Sequence, residues 1–268
     1  MERTVETQKK RSMALEIWRR LRKNKMAMLG LVILVMLALT AIFADVIADY
    51  DTKVIAQDIK NRLQGPSMEH WCGTDEFGRD IFARLVHGSR VSLVVGLISV
   101  SISLLMGGAL GAIAGYYGGR VDNVIMRIMD IFLAVPSILL AMTIVAALGT
   151  SLINVMLAIG VSGIPGYPQI VRASVMSIKD QEFVEASRAI GAKSPTTIFR
   201  EILPNCLAPI IVQATLSVAG AILSTASLSF IGLGVQPPSP EWGAMLSAGR
   251  SFFRDHWFVE TFPGLAIM

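Results

Sequence analysis

Long apolar stretches alternate with polar ones along most of the chain. A helix needs ~20 mostly apolar residues to cross the hydrocarbon core of a bilayer. Stretches of about that length or more occupy residues 26–47, 91–117, 131–149, 152–171 and 205–231. A further apolar run begins at 262–268, and we expect it to be a sixth span that is cut off in this sequence. The pattern predicts an all-α integral membrane protein.

Glycine and proline interrupt this pattern at defined places. Gly107, Gly111 and Gly115 recur every four residues in the second predicted span, a spacing that lets two helices pack closely in lipid. Pro136 lies in the third span, and the fourth contains Gly163 and Pro165, so we expect kinks there. Irregular backbone at membrane depth persists where protein or a water-filled path covers it. These positions are therefore candidates for lining a path or for simple kinked packing.

The polar segments carry a charge bias that orients the chain. Residues 1–25 hold nine Lys and Arg against three acids, and such an excess is typical of the cytoplasmic side. The segments then expected in the cytoplasm are 1–25, 118–130 and 172–204, and those expected outside are 48–90, 149–151 and 232–261. The six Lys and Arg of 48–90 weigh mildly against this orientation.

Composition supports the membrane assignment and excludes several classes of protein. The chain is 53% hydrophobic and only 16% charged, which is too apolar for an ordinary soluble domain. Within 1–25, residues 12–25 form a basic amphipathic stretch that suits an anionic membrane surface. No further basic patch supports a nucleic-acid partner. The two cysteines lie far apart in the sequence and predict neither a disulfide framework nor a thiolate metal site.

Residues 182–204, hereafter the island segment, form a polar stretch between two apolar ones. Phe183, Ala186 and Ile190 follow a three-to-four spacing and predict a short amphipathic helix. Gly191 is suited to close that helix in a left-handed conformation. Ser194 is predicted to be the N-cap of a second helix. Such a segment suits docking onto another protein, and a helix resting on the membrane is the alternative.

The island segment resembles the EAA loop of the permeases of ABC importers. Glu185, Ala186, Gly191 and the pair Leu203-Pro204 match that pattern in phase, and Ser187 stands where the second Ala is usual. The resemblance implies that this loop inserts into a groove of an ATPase subunit. The residues that it implies at the contact are Glu182, Glu185, Ala186, Ser187, Arg188, Gly191, Ala192 and Lys193.

Two further segments resemble the dipeptide, oligopeptide, glutathione and nickel branch of the same family. Residues 70–93 resemble the external segment before its second span, and 226–246 resemble the end of its fifth span. The resemblance implies a six-helix permease of the C type in a bacterial cytoplasmic membrane. It also implies a second permease, two ATPase subunits that hold ATP and Mg, and an extracytoplasmic binding protein. Di- or oligopeptides are the favoured substrates, with nickel, glutathione or another small substrate as alternatives.

Other functional classes have less support in the sequence. A channel or secondary transporter that works without an ATPase usually carries buried charges in its spans, and the predicted spans have almost none away from their edges. A membrane enzyme needs ionisable residues that converge on one cavity, and no such set stands out. The chain contains no P-loop, so no cofactor is expected in it. The three histidines, His70, His87 and His256, are scattered on the predicted outer side, so ordinary polar contacts are favoured over a nickel pathway and no metal site is predicted.

Overall fold

The computed structural model describes residues 18–19 and 21–268. Residues 12–17 and 20 of the predicted basic stretch therefore lie outside the described residues. The longer helices are α1 (Lys25–Ile42), α2 (Ile81–Tyr117), α3 (Gly119–Leu133), α4 (Ser137–Leu148), α5 (Leu152–Gly163), α6 (Gly166–Ile178), α7 (Glu182–Ala189), α8 (Leu207–Phe230), α9 (Trp242–Gly249) and α10 (Phe258–Ile267). Short helical turns occur at Ala44–Ile47, Tyr50–Ile55, Ile59–Asn61, Ser194–Thr196, Thr197–Ile202, Leu203–Asn205 and Arg250–Phe252. The described part of the chain contains no β-strand, which confirms the predicted all-α class.

Three of these helices, α1, α2 and α8, are long and apolar enough to cross a membrane. α3 and α4 meet the same criterion only together, and their axes are bent by 82°. Pro136 lies at this bend as the residue before α4, with extended backbone (ψ 128°). Proline disfavours helical backbone in the residue before it, which explains why the helix stops there.

Helix α2 is the central element, and α1, α5, α6 and α8 pack against it. Its Gly107, Gly111 and Gly115 all face α6. A Cβ atom on Gly111 would lie 2.7 Å from the carbonyl oxygen of Pro168, and one on Gly115 would lie 2.9 Å from that of Arg172. The absence of side chains at these positions therefore allows the two backbones to approach closely.

The helix boundaries differ from the sequence expectation in three places. α2 begins at Ile81, ten residues before the predicted span at 91–117, because the side chain of Asp80 accepts a hydrogen bond from the N–H of Ala83 and caps it. The predicted connection 118–130 is helical and belongs to α3. The fourth span, expected at 152–171, is divided between α5 and α6, and α6 continues to Ile178 inside the predicted polar segment.

A folded cap, formed by residues 48–80 and 232–257, covers the N-terminal end of α2. The guanidinium of Arg84 donates to the carbonyls of Val54 at 3.0 Å and Pro238 at 3.4 Å, which joins both parts of the cap to α2. The indole N–H of Trp242 donates to the carbonyl of Leu85 at 3.0 Å. The island segment contacts the other end of α2 through Tyr116. At ~1.5 Å per residue, the 37 residues of α2 separate cap and island segment by ~55 Å.

Candidate functional site

The island segment opens with α7, and a glycine turn closes this helix. Gly191 has φ +86°. Its N–H donates to the carbonyl of Arg188 at 3.0 Å, and the N–H of Ala192 donates to the carbonyl of Ser187 at 3.1 Å. These bonds form a Schellman motif, in which a left-handed residue satisfies the last carbonyls of a helix. The chain reverses here at a position that strongly favours glycine.

One narrow face of α7 packs against the helix bundle. Val184 is fully buried, and Ser187 is 6% exposed. Val184 belongs to a cluster with Val175 of α6 and with Ile198 and Ile202 from the second half of the island segment. This packing fixes the orientation of α7 relative to the bundle.

The opposite face of α7 carries apolar and acidic side chains that point away from the bundle. Phe183 and Ile190 are 41% and 86% exposed. Ala186, Glu182 and Glu185 are exposed as well. The apolar spacing found in the sequence therefore describes the outward face, whereas Val184 anchors the helix. Exposed apolar side chains at helical spacing are typical of a surface that another protein covers.

The second half of the island segment begins one residue earlier than predicted. Lys193, not Ser194, is the N-cap, and no side chain caps this helix end. Pro195 occupies the first turn, where its missing N–H costs no helical bond. A π-helical turn, Thr197–Ile202, then leads towards α8. Within it, Phe199 is 64% exposed.

A side-chain hydrogen bond joins the two halves of the island segment. The hydroxyl of Ser187 donates to Oε1 of Glu201 at 2.6 Å. Oε2 of Glu201 is buried and has no partner among the described residues. Ser187 was expected at the contact with an ATPase, but in the structure it faces inward and connects α7 to the segment that leads into α8. Glu201 is not among the residues predicted from the sequence, since no local pattern relates it to Ser187.

Two further contacts tie the neighbourhood of the island segment to the bundle. The guanidinium of Arg188 lies 4.9 Å from the centre of the Tyr116 ring, at the C-terminal end of α2. Nearby, Arg172 of α6 holds the carboxylate of Asp122 in α3 with two hydrogen bonds of 2.5 and 2.6 Å. A bidentate pair of this kind fixes the relative position of two helices. Neither Tyr116 nor Asp122 was singled out from the sequence.

The residues predicted at the partner contact thus fall into two groups. The exposed ones are Glu182, Glu185, Ala186, Arg188, Gly191 and Lys193. Ala192 is half-buried and Ser187 is buried. The exposed group shares one surface with Phe183 and Ile190, and that surface is the candidate docking site.

The residues predicted to kink the spans lie in or near the wall of a partly open cavity between helices. Pro136 precedes Ser137, which lines a cavity of about 200 Å³, and Gly163 lines the same cavity from α5. Pro165 lies in the break between α5 and α6. A Cβ atom on Gly163 would lie 2.6 Å from the hydroxyl of Ser103, so glycine allows α5 to approach α2.

Charged side chains are concentrated in the cap. Oδ1 of Asp75 accepts from the backbone N–H groups of Phe77 and Arg79 at 2.9 and 3.0 Å, and its Oδ2 accepts from Nε of Arg79 at 2.7 Å. Nε of Arg84 lies 3.6 Å from the same oxygen. Burial raises the pKa of the neighbouring Glu76 above its ordinary value. Asp75, Arg79 and Arg84 form a buried ion network, in which Asp75 and Arg79 are hydrogen-bonded and Arg84 lies within ion-pair distance.

Two histidines in and beside the cap also have structural partners. Nδ1 of His70 lies 2.8 Å from Oδ2 of Asp80, and Nε2 of His87 lies 2.8 Å from the carbonyl oxygen of Ala48. Burial also raises the pKa of the Cys72 thiol. Among the residues that the structure describes, no group of three or more His, Cys, Asp or Glu is placed to hold a metal ion.

Two family models match the chain. Residues 107–268 match the binding-protein-dependent transport system inner membrane component, which is more than half of the sequence. Residues 12–66 match the N-terminal TM domain of oligopeptide transport permease C.

Curated relatives align with almost the whole chain. The dipeptide transport system permease protein DppC of Alkalihalophilus pseudofirmus is 51% identical over 253 residues, which cover 94% of this chain and 83% of that protein. The di/tripeptide transport system permease protein DppC of Pseudomonas aeruginosa is 46% identical over 257 residues, with coverages of 94% and 85%. The glutathione transport system permease protein GsiD of Escherichia coli O157:H7 is 43% identical over 252 residues, with coverages of 94% and 83%.

Solved structures with a similar fold include two crystal forms of the methionine ABC transporter MetNI in inward-facing conformations. Their TM-scores are 0.55 and 0.56 at 18% identity, and the aligned parts cover 68% and 70% of this chain and 87% and 89% of the other. At this level of identity the likeness shows a shared fold.

Proposed function

Because the chain belongs to the family of binding-protein-dependent transport system inner membrane components, we propose that it forms half of the path through which an ATP-driven importer moves di- or oligopeptides. Two of its relatives are named for dipeptide and di/tripeptide transport. Membership in the family makes the chain a membrane permease subunit and not an enzyme. It also separates the chain from channels and secondary transporters that work without an ATPase.

In the proposed assembly the chain pairs with a second, homologous permease and with two ATPase subunits that hold ATP and Mg. An extracytoplasmic binding protein delivers the substrate to the side of the membrane where the cap lies. The chain is placed in a bacterial cytoplasmic membrane with its N-terminus in the cytoplasm. The Lys and Arg excess of residues 1–25 supports this orientation, which puts the island segment beside the ATPases.

The island segment is the proposed contact with an ATPase subunit. The observation that carries this proposal is the division of α7 into a buried anchor and an outward face. Val184 fixes the helix to the bundle, while Phe183 and Ile190 are exposed beside Glu182 and Glu185. An apolar helix face that lies in a hydrophobic groove is a common mode of protein recognition.

The same contacts provide a route for movement from the ATPase to the spans. The Ser187–Glu201 hydrogen bond connects α7 to the turn that leads into α8, and Arg188 contacts Tyr116 at the end of α2. When ATP closes the ATPase subunits, a shift of α7 therefore acts on two spans at once. Packed helices respond to such shifts by moving as rigid bodies between alternative arrangements.

A pair of glycine variants tests this role of the island segment. Gly191 and Gly232 both have φ +86° with open space around the position of a Cβ atom, so alanine causes similar backbone strain at either. Gly191 lies in the island segment, whereas Gly232 lies just after α8 in the cap. Gly191→Ala is expected to lower ATP-driven uptake in proteoliposomes by roughly tenfold, because ~1–2 kcal/mol of strain opposes the Schellman turn.

Gly232→Ala is the matched control, and it is expected to keep the ATPase subunits associated during purification. Equal loss of ATPase association in both variants would mean that general destabilisation causes the effect. Full uptake and ATPase association in a Gly191→Pro variant, in which proline excludes a positive φ, would contradict the coupling role.

Glutathione is the second candidate substrate, because the relative named for glutathione transport is 43% identical over nearly the whole chain. Glutathione is itself a tripeptide, so the two candidates share peptide chemistry. Uptake of labelled dipeptides and of labelled glutathione by the full complex with its binding protein separates them. Preference for dipeptides supports the main proposal. Uptake of glutathione alone would show that glutathione, and not a dipeptide, is the substrate.

A further inference from the structure

The cavity beside Gly163 is lined by hydroxyl groups and lies between α2, α4, α5, α6 and α8. Its volume of about 200 Å³ is far above the ~10–15 Å³ that a single water needs. Six serines contribute to its wall: Ser99, Ser103, Ser137, Ser162, Ser217 and Ser224. None of its lining residues is acidic or basic. The cavity is thus uncharged, with hydroxyl groups among apolar side chains such as Val100 and Ile159.

The lining serines lie at helical spacing. Ser99 and Ser103 are four residues apart on α2, and Ser217 and Ser224 are seven apart on α8, with Gly220 between them. Residues at such intervals share one side of a helix. By contrast, Leu223 of α8 is 59% exposed on another side. Small polar residues therefore form continuous stripes that face one another across the cavity.

The serine hydroxyls keep hydrogen-bonding capacity after their contacts within the protein. Ser99 donates to the carbonyl of Met156 at 3.0 Å, and Ser103 donates to that of Gly160 at 2.6 Å. A hydroxyl has one donor and two acceptor sites, so both serines can still accept hydrogen bonds. Ser217 accepts one from the side-chain amide of Gln213 at 3.4 Å, and its own proton can be donated.

Tyr167 adds a buried hydroxyl without a partner. Its side chain lines the cavity and is only 2% exposed, and its oxygen makes no hydrogen bond within the described residues. Ser217 lies beside it, yet no hydrogen bond of acceptable geometry joins the two. A buried polar group without a partner is destabilising. The arrangement therefore favours a molecule in the cavity that completes the hydrogen bonding of Tyr167.

We propose that this cavity binds the uncharged backbone amide groups of a peptide in transit through the permease. The proposal rests on the proposed function and names the part of the substrate that is recognised. An amide presents one donor and one acceptor, and hydroxyl groups satisfy both. The uncharged wall neither attracts nor repels substrate side chains by charge, so cationic, anionic and neutral peptides are treated alike. Weak contacts of this kind also let the peptide leave, as conduction requires.

Access of water to the cavity is tested first, without reference to any substrate. In a chain with Cys72→Ala and Cys206→Ala, single Ser162→Cys and Ser224→Cys variants are assembled into the full complex. The complexes are treated with a charged methanethiosulfonate reagent, with and without ATP plus vanadate. Leu223→Cys, next to Ser224 but on an exposed side of α8, is the matched control.

Both cavity positions are expected to react in one nucleotide state and to slow at least about fivefold in the other. The control position is expected to show no such change. Cysteines at 162 and 224 that stay unreactive in every state, or that match Leu223→Cys, would overturn the assignment of the cavity to the path.

Recognition of the amide group is tested with Tyr167→Phe combined with Ser217→Ala. This variant removes two hydroxyls, and its uptake of neutral, Lys-containing and Glu-containing dipeptides is expected to fall by a similar factor, roughly tenfold. Ser101→Ala is the control, because Ser101 is exposed on α2 and donates to the carbonyl of Leu97 at 2.7 Å, away from the cavity.

Three outcomes of this experiment are distinguishable. Equal loss for all dipeptides supports the proposal, whereas unchanged uptake or a loss that depends on side-chain charge overturns it. If the unaltered complex imports no dipeptide but does import another substrate, the proposed function fails instead. The nucleotide-dependent labelling then still decides whether the cavity lies on the path.

Discussion

The cap and the island segment contact opposite ends of α2 and are built in different ways. Asp75 and Arg79 of the cap and the adjoining Arg84 of α2 are each at most 5% exposed and form one buried ion network. In the island segment, Ile190 and Phe199 are 86% and 64% exposed, although both are apolar. Buried charges need fixed partners, whereas exposed apolar groups gain stability when another surface covers them.

This contrast indicates that the two ends have different tasks. The cap holds the N-terminal end of α2 in one arrangement by means of contacts within the chain. The island segment keeps few internal contacts, namely Val184, the Ser187–Glu201 bond and Arg188 on Tyr116. Its remaining surface is free to bind a partner. Substitutions in the cap should therefore act on stability, and those in the island segment on association and coupling.

The largest effect is expected in the cap, from Asp75→Ala. The change leaves Arg79 and Arg84 buried without their carboxylate, and breaking a buried pair costs about 3–5 kcal/mol. The thermal unfolding midpoint of the purified complex should fall by roughly 10 °C. Asp51→Ala, which removes an exposed carboxylate of the cap, should leave the midpoint nearly unchanged. Equal effects of the two changes would refute the importance of the network.

The opposite behaviour is expected for Ile190→Glu in the island segment. Since Ile190 is 86% exposed, stability should change by no more than about 0.5 kcal/mol. Association with the ATPase should weaken by about 2 kcal/mol or more, or roughly 30-fold, as for an apolar residue at the centre of an interface. Met68→Glu is the control, because Met68 is 96% exposed in the cap. Weakened ATPase binding in the control would contradict the inference that the island segment, and not the cap, binds the ATPase.

A smaller effect is expected from Ser187→Ala, which removes the hydrogen bond to Glu201. The lost hydrogen bond is worth about 1 kcal/mol, and uptake should fall more than ATPase association, because Ser187 is buried and does not reach the partner.

Ser194→Ala tests the structure against the N-cap predicted from the sequence. As Ser194 caps no helix here, its replacement should be nearly neutral. A cost of about 1 kcal/mol would instead support the predicted N-cap.

The smallest effect is expected from Arg188→Gln, which removes the cation over the Tyr116 ring. Such contacts are worth about 0.5–1 kcal/mol at exposed sites, so ATP-driven uptake should fall by only two- to fivefold. Arg200→Gln removes a charge from the same segment and serves as the comparison. A larger loss for Arg200 than for Arg188 would show that net charge, and not the contact with α2, matters here.

Much of the fold could be predicted from the sequence because lipid imposes simple rules. Long apolar stretches had to be helices, which satisfy their own backbone hydrogen bonds. The motifs of the island segment and of residues 70–93 and 226–246 indicated the permease family, and the comparisons confirm that membership. The glycine turn at Gly191 followed from local chemistry, since few other residues tolerate a positive φ.

Tertiary contacts were less accessible to sequence reasoning. Ser187 was predicted to be a small residue at a partner contact. In the structure its hydroxyl donates to Glu201, 14 residues away, and only folding brings these two residues together. The sequence predicts a polar connection over 118–130, whereas the structure has an amphipathic helix whose polar residues fall on one side. The serines of the cavity lie on three or more separate helices, and no local pattern relates them.

The sequence by itself determined the class of the protein and the family to which it belongs, because each depends on apolar length or on contiguous motifs. Only the tertiary structure decided which side of α7 faces outward, which groups connect it to α2 and α8, and where hydroxyl groups converge. Those features depend on the relative rotation of packed helices. That rotation is set by close approaches such as Gly111 on Pro168, between residues far apart in the chain.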